Sequence, residues 1–108
     1  MRYGLTFEIE IYDFVAQRGE TIYSRPGDYI RMMLWAEKNL DKNLNEDVRS
    51  LVTNYATAYI ALQREGRVEV LGLPADLSFD NIKAMADRFS VHVELAKKDS
   101  LPLAEQPR

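Results

Sequence analysis

The sequence predicts an α+β fold: an N-terminal β-hairpin, two long amphipathic helices, a shorter third helix and a short C-terminal strand. Three patterns carry this prediction. Residues Tyr3–Ile11 alternate apolar and polar, the period of a strand packed on one side. The run from Asp28 to Gly66 repeats apolar residues every three or four positions, the period of a helix face. Val91, Val93 and Leu95 then alternate with His92 and Glu94, a second strand pattern.

In the first strand Tyr3, Leu5, Phe7, Ile9 and Ile11 share one face, with Arg2, Thr6, Glu8 and Glu10 on the other. After Ile11 the phase changes and Asp13 takes the inner register, which predicts a bulge near Tyr12–Asp13. Gln17-Arg18-Gly19 is the expected turn, with Gly19 taking positive φ, and Thr21-Ile22-Tyr23 the return strand.

Ser24 before Pro26 is the expected N-cap of the first helix, and Asp28 stands near the positive end of its dipole. The inward stripe of this helix, about Pro26 to Asn39, is Tyr29, Met33, Ala36 and Leu40. Asn43 or Asn45 caps the next helix, about Glu46 to Glu65. Its stripe is Val48, Leu51, Val52, Tyr55, Ala58, Tyr59 and Leu62, and Gly66 is its stop. Ile60 falls on the outer side with Arg49, Thr53 and Arg64. Arg67–Leu71 reads as a short strand or an extended connector, because Pro74 prevents the helix from running on. Ser78 caps a third helix over Phe79–Phe89. Residues 1–96 thus form one domain, and 97–108 a flexible polar tail.

Composition narrows the function. The 108 residues are 46% hydrophobic and 29% charged with a net charge of −3, which disfavours nucleic-acid binding. There is no cysteine, so disulfides, thiolate metal sites and cysteine nucleophiles are excluded. No apolar run is long enough to span a bilayer, and the first residues lack the apolar core of a signal peptide. These features lead to the expectation of a cytoplasmic protein.

No catalytic or cofactor constellation is evident. His92, the only histidine, faces away from the apolar strand residues and has no nominated partner. Glu8 and Glu10 share a solvent-facing strand side, and Glu46–Asp47 lie in a first helical turn, where carboxylates favour the dipole. Asp41-x-Asn43-x-Asn45 imitates the start of a calcium loop, but Glu46 stands where a glycine is required and Val52 where the closing glutamate is required. No phosphate-binding loop is present. The expectation is therefore a non-enzymatic protein with no metal, cofactor or small-molecule substrate. Trp35, the only tryptophan, falls on the polar side of its helix near Arg31. Either the hairpin or the last strand covers it, or it is an interface residue, a role for which Trp and Arg are both enriched. Trp35, Arg31 and Ile60 are the candidate partner-binding residues.

The Pro26-Gly27-Asp28 helix start, the helix end running from Tyr55-Ala-Thr-Ala through Arg64-Glu-Gly66, and the acidic-aromatic Ser78-Phe79-Asp80 segment together resemble the small tail assembly chaperones of long-tailed phages and prophages. The resemblance covers about Leu5 to Glu94, and the Val68–Pro74 connector departs from the family pattern. It implies a cytoplasmic chaperone without enzymatic activity that coats a hydrophobic protein client, the tape-measure protein, during tail assembly. In that family a longer form is often made by translational frameshift. A homo-oligomeric structural or regulatory subunit joined through Trp35 and the hairpin edge is the alternative. A third reading is a nucleic-acid-binding regulator built on the helix pair, although the second helix is long for a helix-turn-helix.

Overall fold

A computed structural model describes residues 6–96; the expected strand start at Tyr3–Leu5 and the expected tail at 97–108 lie outside them. Strand β1 (Phe7–Asp13) is central, with β2 (Arg18–Tyr23) antiparallel on one side and β3 (Phe89–Leu95) antiparallel on the other. Helices α1 (Pro26–Asn39), α2 (Glu46–Arg64) and α3 (Phe79–Arg88) complete the α+β fold. The alternation places Ile9, Ile11, Ile22 and Phe89 in the core. Glu8, Glu10, His92 and Glu94 lie on the opposite face, with Glu10 between Thr21 and His92 in the ladders.

The expected bulge does not form. Both ladders run unbroken to Asp13, which stays in the inner register. Arg88 allows this: its Nη2 donates to Asp13 Oδ2 at 2.9 Å and its Nε to Oδ1 at 3.3 Å. The same carboxylate accepts the Val15 and Ala16 amides and so shapes the hairpin turn. The left-handed residue of that turn is Gln17 (φ 55°), while Gly19 lies within β2 opposite Tyr12. These bonds, those from Arg88 foremost, hold the Asp13 carboxyl at about 2, against the opposing effect of desolvation.

Helix α1 spans Pro26–Asn39 as expected, but Ser24 is not its N-cap. Arg25 is the N-cap, and its amide donates to Asp28 Oδ2 at 2.8 Å, one half of a capping box. Ser24 serves the sheet instead: its buried hydroxyl accepts the Phe7 amide at 3.0 Å. Asp28 is fully buried, at 0% exposure. It receives Arg64 Nε at 2.9 and 3.1 Å and Arg31 Nη1 at 3.2 Å. Arg64 Nη2 in turn donates to the Tyr23 carbonyl at 2.9 Å. One carboxylate therefore joins the start of α1, the end of α2 and the end of β2.

That anchor rotates α1 from its expected orientation. The buried face is Asp28, Met32, Ala36 and the C-cap Leu40, and Met33 is exposed. It also corrects the placement of Ile60. This residue is only 4% exposed because α1 packs on the side of α2 that carries Arg64. Residues Tyr55–Leu62 are buried without a break, between the sheet, α1 and α3.

Helix α2 is tied to opposite corners of the sheet. The Ser24 amide bonds the Phe7 carbonyl, so odd residues of β1 bond toward β2. The Ala96 amide bonds Thr6 and the Phe14 amide bonds Arg88, so even residues bond toward β3. The carbonyls of Tyr23 and Phe89 consequently face the two outer edges. Arg64 takes the first, and the Tyr55 hydroxyl donates to the second at 2.8 Å. Burial raises the Tyr55 pKa, and the Val91 amide opposes that rise. Residues 46–54 of α2 precede the Tyr55 anchor, and Val48 and Leu51 among them, members of the predicted stripe, are exposed.

The remaining caps follow the sequence. Asn45 Oδ1 accepts the Asp47 and Val48 amides, and Ser78 Oγ accepts the Asn81 amide. Gly66 (φ 68°) closes α2 in a Schellman motif, with the Arg67 amide bonding Leu62 and the Gly66 amide bonding Gln63. The 67–72 segment repeats this geometry as a turn, not a strand. Gly72 has φ 75°, and the Leu73 amide reaches the Val68 carbonyl, so Val68 and Leu73 point into the core. Helix α3 passes directly into β3 at Arg88–Phe89.

Two predictions arise here. Replacing Asp28 by Ala strands Arg64 and lowers unfolding free energy by about 3 kcal/mol or more, read by urea denaturation. The Asp13 carboxyl titrates at about 2 when folded against an ordinary 3.8, so its contribution is full above the ordinary value and is lost as pH falls toward 2. Denaturation profiles of Asp13→Asn and wild type accordingly differ at neutral pH and converge between about pH 4 and pH 2.

Candidate protein-docking surface

A concave groove lies between α1 and the first half of α2. This groove encloses about 590 Å³. Tyr29, Met32, Met33, Ala36 and Leu40 supply its apolar side, while Glu37, Lys42, Glu46 and Arg49 supply charge of both signs. Arg49 Nη2 also donates to the Asp41 carbonyl at 2.6 Å, which pins the α1–α2 connection beside the groove. Methionine side chains are flexible and polarisable, and they suit a surface that adapts to varied apolar partners.

Beyond Met33 the apolar surface continues. Ile30, Met33 and Leu34 are all exposed, Leu34 at 63%. Their spacing of three and four places them side by side along α1. Among the described helices α1 packs mainly on α2, so this strip is uncovered by the rest of the described chain. A contiguous apolar strip beside a groove differs from isolated exposed side chains, which are ordinary.

The three residues expected at an interface are distributed differently. Arg31 and Ile60 do come together, with Gln63 and Arg64, around a shallow depression of about 280 Å³. Ile60 is its buried floor, and Arg31 leans toward Asp28. Trp35 is half-buried, and its ring packs on Phe79 of α3 at 5.8 Å between centroids. It is covered from α3, not from the hairpin or the last strand. Ile30, Met33 and Leu34 were legible as an i, i+3, i+4 set. They were missed because Met33 was assigned to the inward stripe, an assignment that ignored Asp28 as the buried anchor.

The ionisable groups elsewhere serve the fold. Asp28 and Asp13 hold their arginines, and Arg67 pairs with Glu20 across to β2. Arg88 also bonds the Leu71 carbonyl and lies 4.9 Å from the Phe89 ring centroid. His92 lies on the outer sheet face with Glu94 at 3.6 Å. Among the described residues no group of three or more His, Asp or Glu side chains is placed to hold a metal ion, and no helix is long and apolar enough to cross a membrane. No protein-family model, curated protein or solved structure matches the chain.

Because Trp35 is the only tryptophan, its contact is directly observable. Phe79→Ala is expected to shift its fluorescence to longer wavelength and to cost about 1 kcal/mol of stability, the scale of one aromatic pair.

Proposed function

We propose that this chain is a non-enzymatic protein-binding domain of the tail assembly chaperone kind, which shields apolar helical segments of a client such as a phage tape-measure protein. The observation that carries the reading is the exposed Ile30–Met33–Leu34 strip beside the α1–α2 groove. A helical client docks by laying anchors at i, i+3, i+4 and i+7 into such a groove. The adaptable methionines accept different anchors, and the mixed charge of the rim tolerates the polar flanks of the client. The resemblance of the Tyr55–Gly66 helix end and the Ser78-Phe79-Asp80 segment to that chaperone family supplies the identity of the client.

The test is co-expression with a phage tape-measure protein as the client. Ile30→Glu combined with Leu34→Glu changes only exposed side chains, so the fold persists. Client affinity should fall about tenfold or more, which is about 1.4 kcal/mol. Unchanged capture by the double variant, or a chain encoded within a metabolic operon with no tape-measure gene nearby, would sink the reading.

A further inference from the structure

We infer that the cleft between the end of the hairpin and the 67–72 turn binds a small organic acid, a single carboxylate on an apolar body, with Arg18 as its counter-ion. The cleft shares no lining residue with the α1–α2 groove, so it stands apart from the client reading. It encloses about 400 Å³, within the range of small-molecule sites, about 300–1,000 Å³.

The cleft exists because the hairpin carries charge in its core-facing register. Ile11 and Asp13 lie on the inward face of β1, and Glu20 and Arg18 stand directly opposite them in the ladder. Opposite residues of an antiparallel pair share a face, so all four belong to the side of the sheet that the helices cover. At this end of the sheet the facing wall is formed by Arg67, Val70, Leu71 and Arg88. Arg88 Nη1 donates to the Leu71 carbonyl at 2.7 Å, which joins the turn to the end of α3.

The charges of the lining do not balance. Arg88 pairs with Asp13, and Arg67 pairs with Glu20. Asp13 has no capacity to spare: Oδ1 accepts the Val15 and Ala16 amides and Arg88 Nε, and Oδ2 accepts Arg88 Nη2. Arg18 is the third guanidinium, and no side chain among the described residues pairs with it. An arginine surrounded by water needs no partner. Arg18 instead lines a cleft in which three guanidinium groups face two committed carboxylates, leaving one positive charge unmatched.

That surplus selects a monoanion, because a second negative charge would be repelled by Asp13 and Glu20. The flat fork of a guanidinium matches a carboxylate with two parallel hydrogen bonds. The rest of the lining selects an apolar body. Ile11 and Phe89 are core residues, and Val70 at the same cleft is 81% exposed, the highest value among the described large apolar side chains. A body lying against Val70 removes that surface from water.

Proton–nitrogen correlation NMR, observing backbone amides and arginine Nε–H groups, tests this with benzoate as the probe. Benzoate is expected to shift the Arg18 Nε–H and the Val70 amide saturably, with a dissociation constant of about 1 mM, the scale of a small fragment. Acetate, which lacks the apolar body, and inorganic phosphate, which carries more charge, should each bind about tenfold more weakly or less. Arg18→Gln should raise the benzoate constant about tenfold or more with unchanged circular dichroism, since no described side chain relies on Arg18. Lys38→Gln makes the same change of charge at an exposed position of α1 outside the cleft and should bind as wild type does. No saturable shift with benzoate, an Arg18→Gln variant that binds as tightly as wild type, or phosphate bound as tightly as benzoate would each overturn the proposal.

Discussion

The ion pair between Asp28 and Arg64 fixes how α1, α2 and β2 sit against one another. A fully buried carboxylate is costly unless its lone pairs are met, and here a backbone amide and two guanidinium groups meet them. The bond sets the rotation of α1, the depth of the end of α2 and the position of the β2 edge together. Once Arg64 is held at one edge of the sheet and Tyr55 at the other, the direction of α2 follows.

This geometry divides the exposed apolar residues into two groups. On the α1 side, Ile30, Met33 and Leu34 adjoin a groove whose shape suits a helical client. Val48 and Leu51, in the first turns of α2, form the second group. Asp13 and Arg88 play a separate part: they hold the hairpin turn against the α3–β3 junction, where the chain changes from helix to strand without a loop.

Much of the fold was legible because local chemistry and periodicity agreed. Alternation gave the first and last strands, the turn before Thr21 gave the return strand, Gly66 and Ser78 marked helix ends, and the Tyr55–Leu62 stripe is core. What was not legible came from long-range polar contacts. Asp13 looked like a phase error because its partner Arg88 is far away in sequence. Asp28 looked like an ordinary first-turn acid, with nothing to indicate that Arg64 would reach it. Ile60 looked exposed because its helical neighbours are polar, and those same polar residues face α1. The candidate surface suffered from the same cause: a helix with apolar residues on more than one side has no unique inward stripe until its buried anchor is known.

A double-mutant cycle on Asp28 and Arg64, each replaced by Ala singly and together, tests the dependence of the fold on this pair most directly. A coupling of about 2 kcal/mol or more between the two sites is the expected result. Additive effects, with coupling near zero, would contradict it.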